Sequence, residues 1–228
     1  MNLFSPPNYF DLSKFAFDNL FTDCQHVWEA LLKLPVFFKQ FPKFEILTEI
    51  PTGAYIVNPE TVFIGKGTIV EPGAYIRGPC VIGNNCTIRH GAYIRGSFVC
   101  GNNCTIGHDT EIKNAIFLDD VHASHFAYVG DCIFGNHVNL GAGTKCANLR
   151  FDRSPVEVKN VDQTIQTQEK KFGAILGDNT QTGCNSVTLP GTCAGKGVLI
   201  NAGVVIGGII PANQIVLNPQ KPVFKERR

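Results

Sequence analysis

AYIRGPCVIGNNCTIRHG occupies residues 74–91, and AYIRGSFVCGNNCTIGHD follows it directly at residues 92–109. The eighteen-residue unit divides into three hexads, each opening on an aliphatic or similarly apolar residue. From Ile64 the first positions read Val70, Ile76, Ile82, Ile88, Ile94, Cys100, Ile106 and Ile112. One five-residue step leads to Phe117, Ala123 and Val129, and a second leads to Phe134 and Leu140. Fifth positions are small or β-branched (Thr68, Ala74, Cys80, Cys86, Ala92, Cys104, Thr110), with Phe98 the bulky exception. A helix would repeat its apolar residues every three to four positions, and this pattern does not. On a short strand, residues four apart share a face, so positions 1 and 5 both point inward. Three such strands close one turn of a triangular solenoid, whose apolar residues are buried only against the neighbouring turns.

The bulk numbers agree with a globular chain: 228 residues, 44% apolar and 17% charged. A net charge of +1 provides no field to attract nucleic acid or an anionic membrane, so neither is expected as a partner. No apolar run reaches the roughly 20 residues of a spanning helix. MNLFSPPNYF lacks the charged and apolar regions of a signal peptide, which makes a cytoplasmic location the expectation. Nine cysteines are an odd number with no secreted-miniprotein context, so no disulfide framework is indicated. Cys80, Cys86, Cys100 and Cys104 fall at inward positions, the common fate of free cysteine.

The repeat resembles that of the hexapeptide-repeat acyltransferases. The resemblance implies an all-β fold, a left-handed parallel β-helix, here with a short N-terminal helical cap. Residues 1–45 carry apolar residues at helical spacing and read as two short helices covering the first turn of the solenoid. Asp11 and Thr22 or Asp23 are the expected N-caps, and Pro35 is expected to end or kink the second helix. The aromatics there (Phe15, Phe17, Phe21, Trp28, Phe37, Phe38) read as packing or subunit contact. The solenoid spans 46–215, a polar inserted loop occupies 147–173, and a basic tail runs over 216–228. Arg150, Arg153, Lys159, Lys170 and Lys171 make the loop suited to closing over an anion.

Stacking turns places side chains in columns about 4.8 Å apart. Arg77, Arg95 and Lys113 form one, and like charges at that spacing repel unless an anion such as phosphate sits among them. Arg77, at the far end, reads as a solvated surface charge. His90, His108 and His125 form another column. Three histidines in register leave two chemistries open, metal ligation or a general base beside an anionic substrate. Glu111 lies within a turn of His125, where a carboxylate would orient an imidazole. Asp119, Asp120 and Asp131 read as corner or surface residues.

Around these residues EIKNAIFLDDVHASHFAYVGDCIFGNHVNLGAGT, residues 111–144, resembles the acetyltransferase domain of the bacterial bifunctional N-acetylglucosamine-1-phosphate uridyltransferase/glucosamine-1-phosphate acetyltransferases. The shared motifs are Glu-x-Lys, His-x-x-Tyr-x-Gly-Asp and Val-Asn-aliphatic-Gly-Ala-Gly-Thr. The resemblance implies acetyl-CoA-dependent acetylation of an amino-sugar 1-phosphate, glucosamine 1-phosphate, on the route to UDP-N-acetylglucosamine. His125 would be the base and Glu111 its orienting carboxylate. Arg95 and Lys113 would hold the sugar phosphate and Tyr128 and Asn139 the sugar, with Asn148 and Lys171 matching further substrate-binding positions of the family. The Ala142 N–H would face the thioester carbonyl, with Cys184 and Ala202 along the coenzyme channel. A homotrimer with sites between subunits is implied, the 147–173 loop reaching a neighbouring site, with no catalytic metal and a separate uridyltransferase acting on the product.

The chain departs from the family in four places. Nothing in it resembles the uridyltransferase nucleotide loop, and KCANLRFD replaces the family's Cys-Asn-Tyr-Asp-Gly turn. Cys184 stands for a serine, and the coenzyme-phosphate arginine falls near Pro219, with Lys221 the substitute at hand. Three further readings follow: an acyltransferase acting on a nucleotide-linked amino sugar, a non-catalytic sugar-phosphate-binding trimer, and a zinc hydrase of the same fold.

Overall fold

The computed structural model describes residues 3–159, 164–219 and 224–225. Lys221 therefore lies outside the described residues. From Ile46 onward each short strand outside the 147–173 insertion pairs in parallel with the strand one turn away, and the stacked turns form a left-handed parallel β-helix. Its first face stacks Val62–Ile64, Cys80–Ile82, Phe98–Cys100, residues 115–117 and 132–134, Ala174–Leu176, Thr192–Ala194 and Ile209–Ile210. The second face runs from Ile69–Val70 through Thr105–His108, His122–His125 and Asn139–Leu140 to Ile215–Val216. The third runs from Tyr55–Val57 through Tyr75–Arg77, Tyr93–Ile94, residues 111–113 and Tyr128 to Val205–Ile206.

The hexad columns are the core. Positions 1 from Ile64 to Leu140 and positions 5 from Thr68 to Thr110 are all buried. The register shows both five-residue steps: Tyr75 pairs with Tyr93 eighteen residues on, whereas Ala115 pairs with Phe98 and Cys132, each seventeen away. The missing residue comes from one corner. Gly96 and Ser97 turn that corner with two left-handed residues (φ 100° and 50°), while Asn114 (φ 46°) and Asp131 (φ 56°) each turn it alone. Inside the shortened turns Phe117 packs edge-on to Phe98 at 5.1 Å and stacks on Phe134 at 4.9 Å. All nine cysteines are free, seven of them buried. Cys86 and Cys104 point their thiols at the carbonyls of Gly101 and Leu118.

The N-terminal segment contains helix α1 (Pro6–Tyr9), a 3-10 turn at Asp18–Phe21 and helix α2 (Glu29–Gln40). It does not sit over the end of the solenoid. It lies along the first face, where Val81, Val99, Ile116, Ile133, Ile175 and Cys193 point outward and form one buried cluster with Phe10, Phe21, Trp28, Leu34 and Phe38. That column of outward apolar residues requires a cover, and the aromatic segment supplies it. The expected caps are also not used. Asp11 instead accepts the Ser13 N–H at 3.0 Å, and Ser5, Phe17 and Trp28 precede the three helical elements without a side-chain cap bond. Pro35 stands inside α2, which continues to Gln40 because Leu31, Leu34, Phe37 and Phe38 stay packed on both sides of it.

The insertion is not structureless. Glu157–Lys159 and Thr164–Gln166 pair antiparallel, and Val156, Val158 and Phe172 join the buried cluster under the N-terminal segment. Phe172 and Trp28 lie 5.7 Å apart. Two of the cations expected to face an anion are already paired: Arg150 with Asp152 through two hydrogen bonds, and Lys159 with Glu157 at 2.9 Å.

Candidate active site

The edge between the second and third faces is a column of tight turns, and it gathers His125, Ala142, Cys184 and Ala202. His108 and His125 are register partners. From there each turn hands a backbone bond to the next: Gly143 N–H to the His125 carbonyl at 3.0 Å, Asn185 N–H to Ala142 at 2.8 Å, and Gly203 N–H to Cys184 at 2.9 Å. His125, Ala142, Cys184 and Ala202 thus occupy equivalent positions on successive turns, about 4.8 Å per step. Glycine is required beneath them. A Cβ on Gly141 would lie 2.5 Å from the Gly183 backbone, and one on Gly183 would lie 2.3 Å from Ala202 N. His125 and Cys184 are exposed. Among the described residues the Ala142 N–H has no acceptor, so it is available to a ligand.

The two earlier histidines extend the same edge. His90 and His108 stack at 5.7 Å, and their Nδ1 atoms meet the carbonyls of Pro72 (2.8 Å) and His90 (3.1 Å). The His108 Nε2 lies 3.4 Å from the Asp109 carboxylate.

The adjoining third face carries the cations, and here carboxylates compensate the charge. Arg95 donates to Glu111 at 2.6 Å and lies 6.0 Å from the Tyr93 ring centre. Glu111 therefore meets Arg95, not His125. Lys113 donates to Asp131 at 2.7 Å. Arg77, with Tyr75 OH at 3.5 Å as its neighbour, is the solvated charge expected. Arg95, Lys113 and Asn114, with Gly78, Pro79, Gly96 and Ser97, line a shallow depression of about 220 Å³. Arg95 and Lys113 each have donors left over, since a guanidinium has five and an ammonium three.

Asp131 is the residue that the sequence reading missed. It is 5% exposed, and its carboxylate accepts from Lys113 Nζ, from Asn114 Nδ2 at 2.8 Å and from Asn148 Nδ2. Asn148 also donates to Tyr128 OH at 3.3 Å. Three residues expected to hold the sugar side, Lys113, Tyr128 and Asn148, are thus joined through this one carboxylate. Gly130 leaves the space: a Cβ there would be 2.6 Å from Asn148 Nδ2 and 2.8 Å from Tyr128 OH. Burial, then the Asp131 charge, pushes the Glu169 carboxyl of the insertion above its usual range. Lys171 lies beside it on a bridge to Leu149, with its side chain exposed. Asn139 is exposed on the second face, between His122 and Gln181.

A family model described as the GMPPB C-terminal domain matches residues 76–225, well over half of the chain and all of the site just described. The chain belongs to that family. Within curated relatives, members of the bifunctional protein GlmU group are similar to this chain. That of Methanococcus maripaludis strain C7 is 38% identical over 119 residues, covering 52% of this chain and 29% of the relative. That of Thermosynechococcus vestitus is 30% identical over 180 residues, covering 79% and 32%. A bifunctional sugar-1-phosphate nucleotidylyltransferase/acetyltransferase of Sulfurisphaera tokodaii is 38% identical over 96 residues, covering 42% and 24%. This member of the family therefore spans about a third or less of the length of these relatives. Among solved structures, a UDP-N-acetylglucosamine acyltransferase from Campylobacter jejuni aligns over 71% of this chain and 68% of that one, at 17% identity and a TM-score of 0.48.

Proposed function

We propose that this chain is an acyltransferase which moves an acetyl group from acetyl-CoA to the amine of a phosphate-bearing amino sugar, with glucosamine 1-phosphate the first acceptor to test. The observation that carries the reading is the arrangement of one edge and one face. An exposed imidazole and a backbone N–H unpaired among the described residues lie in one column, beside a face on which Glu111 holds Arg95 and Asp131 joins Lys113 and Asn148, with Tyr128 on Asn148.

In the proposed reaction the acceptor phosphate takes the spare donors of Arg95 and Lys113. The sugar amine attacks the thioester carbonyl carbon, so a C–N bond forms as the C–S bond breaks. His125 takes the amine proton, and the coenzyme leaves as a thiolate that is then protonated. Charge on the carbonyl oxygen is met by the Ala142 N–H, with Cys184 and Ala202 further along the same edge for the coenzyme arm. Glu111 fixes Arg95, a positioning role that differs from orienting the imidazole. Asn139 and Lys171 flank the acceptor from the neighbouring face and the insertion.

The full site belongs to a homotrimer in this reading, with the coenzyme between subunits and the insertion extending toward a neighbour. Light scattering at three times the chain mass is the expected result. No described helix is long and apolar enough to cross a membrane. Coenzyme A release from acetyl-CoA that depends on glucosamine 1-phosphate, above a blank for the protein's own thiols, tests the activity. One observation favours a second reading. With Glu111 paired to Arg95, His125 has no carboxylate partner among the described residues, as a non-catalytic sugar-phosphate-binding trimer would tolerate. Glucosamine 1-phosphate that binds by calorimetry without coenzyme A release would support that reading instead.

A further inference from the structure

The third face carries a feature that acetyl transfer to a sugar phosphate does not use. Tyr55, Tyr75 and Tyr93 are register partners on three successive turns. All three point outward, and Tyr55 and Tyr93 are 62% and 40% exposed. Tyr75 and Tyr93 meet edge to face at 5.2 Å. At the equivalent outward positions of the second face stand Thr87, Thr105, His122, Asn139 and Gln181, so the fold itself does not call for aromatic rings there. Two residues further along the same strands, about 6.6–6.8 Å away, runs the column Arg77, Arg95, Lys113. An aromatic column and a cationic column therefore lie side by side, and the depression at Arg95 and Lys113 opens beside them.

The geometry points to a binding platform for a nucleoside diphosphate group, free or linked to the amino sugar. The phosphates take the spare donors of Arg95 and Lys113, and the planar base stacks on the exposed Tyr93 ring, which Tyr75 meets edge to face. The inference rests on the same phosphate-binding face as the proposed function, and it adds a ring-bearing ligand beyond the sugar phosphate. Three chemical points support it. Every nucleobase offers a π-face to an exposed ring, and the two-residue offset of the columns is comparable to the reach from a base to its own phosphates. Arg95 is held by Glu111 at one nitrogen and lies close to the Tyr93 ring, so its remaining N–H groups are oriented in advance. The charge on the platform fits a short anion. Three cations are set against Glu111 and Asp131, leaving one net positive charge beside the rings and nothing like the extended basic stripe of a polynucleotide site.

Calorimetric titration of the intact chain with UDP and with inorganic pyrophosphate tests this directly. UDP is expected to bind about tenfold tighter than pyrophosphate, the worth of one stacked base. Tyr93→Ala removes that difference while leaving pyrophosphate affinity unchanged, Tyr93→Phe restores it, and Arg95→Gln weakens both ligands. Thermal melting of each variant separates loss of stacking from loss of fold. Equal affinity of wild type for UDP and pyrophosphate, or a UDP affinity unmoved by Tyr93→Ala in a folded variant, overturns the platform. Titration with UDP-glucosamine separates the two sources: tighter binding than UDP assigns the linked sugar, equal binding the free nucleotide. Failure of acetyl transfer to glucosamine 1-phosphate with UDP still bound through Tyr93 would overturn the proposed function and leave the platform standing.

Discussion

The turns before Ile112 and the two that follow it share one core and differ at one corner. Where Gly96 and Ser97 make the corner, two residues without long side chains turn the chain, and the polar groups nearby face solvent. Where Asn114 and Asp131 make it, each corner has one residue, and that residue carries a carboxamide or a carboxylate. The Asn114 side chain donates to Asp131, and Lys113 and Asn148 donate to the same carboxylate. The regular turns are therefore a scaffold that tolerates change at its corners, whereas the shortened turns convert a corner into part of a site. Shortening by one residue is what places a buried acid among residues that would otherwise point separately into solvent.

The comparison can be broken at its core first. Phe117 opens the first shortened turn, between Phe98 and Phe134, and Phe117→Ala is expected to cost about 3–5 kcal/mol in chemical denaturation. A loss no larger than that of an exposed substitution would mean that the short turns do not share the packing of the regular ones. Asp131→Ala leaves Lys113 and two amides without their acceptor and is expected to cost about 1–3 kcal/mol, with a matching fall in acceptor kcat/KM. Asp131→Asn keeps an acceptor oxygen and recovers stability more than activity. Gly130→Ala pushes against Asn148 and Tyr128 and should cost about 1–3 kcal/mol, raising the acceptor KM if the network positions the sugar. Arg77→Gln, in a regular turn, should stay within about 0.5 kcal/mol of wild type. Acetyl transfer by that variant should also be unchanged, which sharpens the boundary between scaffold and site.

What the sequence made legible follows from periodicity. The hexads place the columns Arg77–Arg95–Lys113 and His90–His108–His125 because stacked turns hold register, and the five-residue steps locate the short turns. Asp131 was not legible, because a hexad position says which face a side chain leaves from and not how a one-residue corner redirects it. The pairing of Arg95 with Glu111 was missed for the same reason: their approach depends on side-chain direction across adjacent strands. The N-terminal segment was misplaced for a different one. Terminal turns of a solenoid need covering, but so does the outward apolar series Val81, Val99, Ile116, Ile133, Ile175 and Cys193, and the aromatic helices bury that instead. The strands of the insertion were hidden by its polar composition, although Val156 and Val158 alternate with polar residues as a half-buried strand does.

The measurement closest to the central claim compares initial rates of acetyl-CoA-dependent acetylation of glucosamine 1-phosphate by wild type and His125→Ala. The exposed imidazole at the head of the Ala142 column predicts a fall in kcat of about 10²–10⁴-fold, with the acceptor KM little changed because Arg95 and Lys113 are untouched. A His125→Ala protein that turns over as fast as wild type would contradict the account, since the edge that carries the proposed chemistry would then have no part in it.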